Sequence, residues 1–335
     1  MAVGTYDPAI EIWDLDVIDA MYPAVVLGRT ATTPGKKRAD THTDVILSLS
    51  WNRHHRNLLA SASGDTTVKL WDLQTARCVT SYHHHTDKVQ AVEWNPVENT
   101  VLATGGYDKR VAVLDSRAPK QVHGGRLNAD VECLRWDPHN PYCFYVSSED
   151  GLVQYVDARQ WTANPSAATS SGWDAPLTPI YTLHAHDAAV SAFDVNPAIP
   201  GCIVTGSTDA KLKLWNIDES NKPSLVVSRD MDTGELFSLA FCPDAPFKIA
   251  AAGSNARVKV WDAYANAGVR QAFADRAKAV VASLGNAAPT TDDKDPIELE
   301  DADEEPEDDD EDGEEAGEPY KPAGSDNDEN GMDMD

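Results

Sequence analysis

The chain has 335 residues, room for two average domains or one large all-β domain, and a formal net charge of −27. Of that charge, −21 falls in residues 286–335, where 23 acidic residues face only Lys294 and Lys321, so the rest of the chain carries −6. No apolar run of about 18 residues could cross a membrane. The opening "MAVGTYDPAIEIWD" lacks the basic-then-apolar pattern of a secretory leader. Five scattered cysteines without a C-x-x-C pair point to reduced thiols.

Taken in chain order, the sequence repeats itself. "MAVGTYDPAIEIWD" (1–14) is followed by "LASASGDTTVKLWD" (59–72), "LATGGYDKRVAVLD" (102–115) and "FYVSSEDGLVQYVD" (144–157), then by "IVTGSTDAKLKLWN" (203–216) and "IAAAGSNARVKVWD" (249–262). The landmark position holds Trp13, Trp71, Leu114, Val156, Trp215 and Trp261. Two longer gaps hold "RTATTPGKKRAD" (29–40) and "WTANPSAATSSGWDAPLTP" (161–179), whose composition is that of surface loops. Each unit opens on an alternating run such as "ILSLSWN", "VQAVEWNP" or "VECLRWDP" that stops at Asn or Pro. A second run, a turn at Gly-Asp or Ser-Asn, and a third run ending at the landmark follow. Four-stranded units of this kind bury their faces only beside copies of themselves, so they must recur.

The residues resemble WD40 repeats, which implies an all-β β-propeller over residues 1–265. The Asp six residues before the landmark recurs as Asp65, Asp108, Asp150 and Asp209, with Asp7 and Asn255 in the outer units. The resemblance implies a buried polar chain in each complete blade. It would comprise His42, Ser61 (or Ser63), Asp65 and Trp71; then His85, Thr104 and Asp108, broken at Leu114; then His186, Thr205, Asp209 and Trp215, with Trp261 as the last landmark. Physically, a buried indole N–H needs an acceptor and a buried carboxylate needs donors, so linked groups satisfy one another. These residues are therefore structural. A His–Ser–Asp set that repeats is no catalytic triad, and no Gly-x-Ser-x-Gly elbow exists. No catalytic, cofactor or metal site is expected: "HHH" (83–85), placed on a strand, would point to alternate faces.

"GKKR" (35–38) is read as a solvated loop. Asp115 with Arg117 in "LDSR" and Asp157 with Arg159 in "VDAR" are read as turn pairs. An alternative is that they dock a ubiquitin-ligase adaptor, making the chain a substrate receptor. "GVRQAFADRAKAVVASLG" (268–285) sets Val269, Phe273, Ala277, Val280, Val281 and Leu284 on one face and predicts a helix within 266–285, stopped by Gly285. Residues 286–335 are too acidic and too poor in apolar residues to fold, and are expected to be disordered. Asp308, Asp309, Asp310, Glu311 and Asp312 are the candidate contacts to basic partners, histones or ribosomal proteins, and Ser325 is a candidate phosphate acceptor.

The first unit lacks an inner strand and the last runs into helix where an outer strand is wanted. The sequence thus reads as a propeller incomplete at its N-terminus, a piece of a longer protein. "MAVGTYDPAIEIWDLDVIDAMYPAVVLG" (1–28), "HTDVILSLSWN" (42–52), "WNRHHRNLLASASGDTTVKLWDL" (51–73) and "YCFYVSSEDGLVQYVDAR" (142–159) resemble the periodic tryptophan protein 1 family. That resemblance implies a non-enzymatic scaffold of nucleus and nucleolus. Its role would lie in ribosome biogenesis, in large-subunit precursor assembly and rRNA processing, with protein partners in pre-ribosomal particles and contact with rRNA as a further expectation. A histone- or chromatin-binding propeller is the other alternative. No membrane and no small-molecule substrate are expected as partners.

Overall fold

A computed structural model of the chain describes residues 1–17, 20–28, 41–161 and 175–283, and the pair 297–298. The insertions at 29–40 and 162–174, the basic loop 35–38, Asp308 to Asp312 and Ser325 lie outside the described residues.

The strands form six antiparallel meanders in chain order. The first sheet is β1 (Ala2–Gly4), β2 (Ile10–Ile12) and β3 (Val25–Leu27). The second is β4 (Ile46–Trp51), β5 (Leu58–Ser63), β6 (Val68–Asp72) and β7 (Arg77–Tyr82). The third is β8 (Val89–Trp94), β9 (Val101–Gly106), β10 (Arg110–Asp115) and β11 (Val122–Arg126). The fourth is β12 (Val131–Trp136), β13 (Cys143–Ser148), β14 (Leu152–Asp157) and β15 (Tyr181–His184). The fifth is β16 (Ala192–Val195), β17 (Cys202–Gly206), β18 (Lys211–Ile217) and β19 (Pro223–Asp230). The sixth is β20 (Leu236–Cys242), β21 (Ala245–Gly253), β22 (Val258–Asp262) and β23 (Ile297–Glu298).

The first strand of each four-stranded sheet packs on that of the next, in the series β4, β8, β12, β16, β20, and β1 packs on β4. Apolar residues fill the space between neighbouring sheets. Ile10 and Leu27 of the first sheet meet Ile46, Leu59 and Trp71 of the second. Leu70 and Val68 of the second meet Val92, Leu102 and Leu114 of the third. Each sheet is thus stable only against its neighbours, the arrangement expected of blades.

The turn between the second and third strands has one recurring feature. Its residue after the Asp or Asn has positive φ at Thr66, Lys109, Ala210 and Ala256, and the fourth sheet has Gly151 there. At Gly151 a Cβ would fall 2.0 Å from the carbonyl oxygen of His186, so glycine is required at that one turn.

Two differences from the sequence reading stand at the C-terminal side. The helix expected within 266–285 is two: α1 (Ala267–Ala272) and α2 (Ala274–Ser283), divided at Phe273. The Asn266 carboxamide caps α1 by accepting from the N–H groups of Gly268 and Val269. Val269, Phe273 and Ala277 are wholly buried in the core of the fifth and sixth sheets, and the Arg276 guanidinium reaches back to the Pro200 carbonyl and the Asn216 side chain. The outer edge of the sixth sheet, for which the sequence offers only helix, is taken by the backbone of β23, paired as Lys259 with Glu298 and Val260 with Ile297.

Candidate functional site

Three layers of polar contact hold the blades, and the third opens on the axis.

The first layer lies within a blade. The Trp71 indole N–H donates to Ser61 Oγ at 2.8 Å, Ser61 lies 2.7 Å from His42 Nε2, and His42 Nδ1 lies 2.9 Å from Asp65 Oδ2. An indole only donates and a carboxylate only accepts, which fixes the proton order: indole to hydroxyl, hydroxyl to Nε2, Nδ1–H to carboxylate. Asp65 also accepts from the Thr43 and Thr67 N–H groups and the Thr67 hydroxyl. The fifth sheet repeats the chain through Trp215, Thr205, His186 and Asp209 at 2.9, 2.8 and 2.9 Å.

In the third sheet His85 Nε2 lies 2.9 Å from Thr104 Oγ1 and His85 Nδ1 lies 3.0 Å from Asp108, but the landmark is Leu114. There His84 Nε2 comes within 3.0 Å of the same Thr104 hydroxyl. With the Thr104 proton committed to His85, His84 must donate, so it does the work of the missing indole. This corrects the reading of "HHH": β7 ends at Tyr82, residues 83–85 lie in the irregular connection after it, and strand alternation does not apply. The convergence is on a hydroxyl. Among the described residues no group of three or more His, Cys, Asp or Glu could hold a metal ion. Trp13 and Trp261 stand outside such chains. The Trp13 indole donates to Glu11, and Trp261 is buried with the Arg229 guanidinium 5.6 Å from its ring centre.

Burial pushes His42 and His186 below the ordinary imidazole range despite the pull of Asp65 and Asp209, and pushes His84 down to about 3. Burial alone would raise Asp65, but the hydrogen bonds from His42 and Thr67 outweigh it and hold its carboxyl well below the usual range. The signs agree. A histidine whose folded value is depressed takes up a proton in the unfolded chain first, so stability falls as pH drops below the unfolded value of 6.5. The carboxylate contribution is lost later, as pH falls below about 4. His84 alone is expected to remove ~2 kcal/mol between pH 7 and 5, at about 1.4 kcal/mol per pH unit below 6.5. Urea titrations across that range check this: a flat profile would contradict it.

The second layer runs between blades, and sequence reasoning missed it. The Asn that ends an inner strand turns back and reaches forward at once. Asn52, Asn95 and Asn196 accept on Oδ1 from two N–H groups of their own turns. Their Nδ2 groups donate to the carbonyls of Asn99, Pro141 and Pro246 in the following sheet, at 2.7, 2.7 and 2.5 Å. The fourth sheet has Asp137 at this place, which cannot donate. Asp137 accepts from the Tyr155 hydroxyl instead, and His139 Nε2 lies 2.9 Å from the Asn196 carbonyl. The available signal was "WN", "WNP", "WDP" and "VNP" at equivalent positions, which reads as a simple strand stop.

The third layer faces the axis. Where the inner strands end, they enclose a cavity of about 430 Å³ whose wall includes Trp51, Glu93, Arg135, Asp194 and Phe241. Glu93 Oε2 accepts from the Trp136 N–H at 2.7 Å, and Asp194 Oδ2 accepts from the Phe241 N–H at 2.7 Å, so each carboxylate ties its sheet to the next. Arg135 lies between them, 3.8 Å from Glu93 Oε1 and 3.5 Å from Asp194 Oδ1. Burial raises Glu93 to about 7 and also raises Asp194, against the opposing pull of Arg135.

Arg117 and Arg159 fold onto their own neighbours. Their guanidinium groups donate to both oxygens of Asp115 and Asp157, with shortest contacts of 2.5 and 2.7 Å. The turn-pair reading describes this geometry.

The model of the WD domain, G-beta repeat, matches residues 36–72, 76–115, 177–216 and 226–262. An uncharacterized WD repeat-containing protein of Schizosaccharomyces pombe is 47% identical over 82% of this chain and 52% of its own length. Periodic tryptophan protein 1 of Saccharomyces cerevisiae is 32% identical over 81% of this chain and 50% of its own length. The periodic tryptophan protein 1 homolog of Drosophila melanogaster is 29% identical over 81% and 57%. The chain therefore spans about half the length of the curated relatives it matches.

Proposed function

We propose that this chain, which belongs to the periodic tryptophan protein 1 family of WD40-repeat proteins, is a non-enzymatic scaffold in the assembly of the large ribosomal subunit precursor, working in the nucleolus. The observation that carries the reading is homology to proteins of that name across four fifths of the chain, over sheets whose His, Ser, Thr and Asp side chains are spent on one another. A hydroxyl that already donates its proton to a histidine, accepts from an indole and is wholly buried is not poised to attack a substrate. What such a chain offers is rigid surface, and WD40 repeats are built to present it to other proteins.

Residues 286–335, with Asp308 to Asp312 at their centre, are proposed to engage basic proteins of the same particles by screened long-range attraction. The net −6 of the remaining chain disfavours a broadly basic rRNA groove, so rRNA contact, where it occurs, is proposed to be local. Tagged protein is expected to co-sediment with large-subunit precursors on sucrose gradients and to recover their RNA on purification. Its confinement to slow-sedimenting free fractions would contradict the assembly role.

A further inference from the structure

Glu93 and Asp194 each spend one carboxylate oxygen on an amide of the next sheet and turn the other toward Arg135. At 3.8 and 3.5 Å neither contact is a tight ion pair, and one guanidinium serves two carboxylates. At the inner wall two carboxylates therefore share one guanidinium, on groups that keep a fifth to a quarter of their side-chain surface open. Arg53 also lines the cavity, but it is exposed and acts on Glu93 less than burial or Arg135 does. Apolar groups also line it: Pro96, Pro138, Pro197 and Pro243 follow the ends of the inner strands, and Trp51 is more than a third exposed. The volume of about 430 Å³ is within the range of about 300–1,000 Å³ typical of ligand sites.

We propose that this axial cavity binds the cationic side chain, arginine or lysine, of a partner polypeptide segment. The aliphatic stem lies against the proline rim and Trp51, and the charged head completes the pairing that Arg135 leaves unfinished between Glu93 and Asp194. An acidic guest would meet two carboxylates at the inner wall and is disfavoured. The site goes beyond the assembly role and does not depend on it: a basic segment could come from any partner.

Calorimetry on the full chain tests this with four blocked tripeptides: Gly-Arg-Gly, Gly-Lys-Gly, Gly-citrulline-Gly and Gly-Glu-Gly. The arginine or the lysine peptide is expected to bind saturably and at least about tenfold more tightly than the citrulline peptide. In a Glu93→Gln, Asp194→Asn variant that preference is expected to disappear, since the carboxamide oxygens still accept from the Trp136 and Phe241 N–H groups while the charge is gone. Should the variant misfold, the arginine–citrulline comparison on the parent chain decides alone. Equal binding of citrulline, tighter binding of the glutamate peptide, or no saturable binding at millimolar concentration would each overturn the proposal.

Discussion

Trp71→Ala is expected to destabilise the folded chain by about 3–5 kcal/mol, read as a lowered urea midpoint. Trp71 is almost wholly buried and packs with Ile10, Leu27, Ile46 and Leu59 across the first and second sheets. Truncation therefore opens a cavity between two blades and also removes the donor to Ser61 Oγ. Trp71→Phe separates the two effects. It keeps most of the packing and loses only the indole N–H, so a cost of about 1–2 kcal/mol is expected. Near-equal losses for the two variants would mean that the hydrogen bond, not the volume, carries the stability.

Asn196→Ala is expected to cost about 3 kcal/mol or more, because three backbone groups lose their partner at roughly 1–3 kcal/mol each, less what water recovers. Asn196 is fully buried, and its carboxamide accepts from the N–H groups of Ala198 and Ile199 and donates to the carbonyl of Pro246. The sharper test is Asn196→Asp, which barely changes shape. It replaces the donor to Pro246 with a carboxylate oxygen facing a carbonyl, and a loss at least as large as that of the alanine variant is expected. The fourth sheet carries an aspartate at the equivalent place only because Tyr155 supplies a proton to it and His139 takes over the link to Asn196. A mild Asn196→Asp phenotype in urea titrations would show that the clasp between the fifth and sixth sheets is dispensable.

The repeat period and the strands were legible in the sequence because they are local, and the polar chains through His42 and His186 were implied by the resemblance to WD40 repeats. In each, the hydroxyl and the Trp stand on two successive strands and the His and Asp in the connections beside them, all within one blade. His84 was not legible, because its part exists only where Leu114 has vacated the indole position and β7 stops at Tyr82 instead of continuing through 83–85. The unit without a landmark Trp but with an extra His before His85 was the signal. The clasps of Asn52, Asn95 and Asn196 reach a different blade, and a sequence pattern shows where a strand ends, not what lies beside it. Glu93, Arg135 and Asp194 sit one residue before the ends of their inner strands, on the face that alternation marks as polar. That this face meets its counterparts around an axis follows from packing between sheets, which no single repeat encodes. The face of Val269, Phe273 and Ala277 that the helical period marked as apolar does enter the core of the fifth and sixth sheets, and nothing in that period signals the division at Phe273.

The central claim is that the chain is a series of separately fastened blades, so breaking one fastener should loosen one blade before the rest. Hydrogen–deuterium exchange on Trp71→Ala measures this directly. Amide protection is expected to fall first across residues 46–82, while residues 192–262 keep the protection of the parent chain. Uniform loss of protection from the second sheet to the sixth, or no loss around residues 46–82, would contradict it.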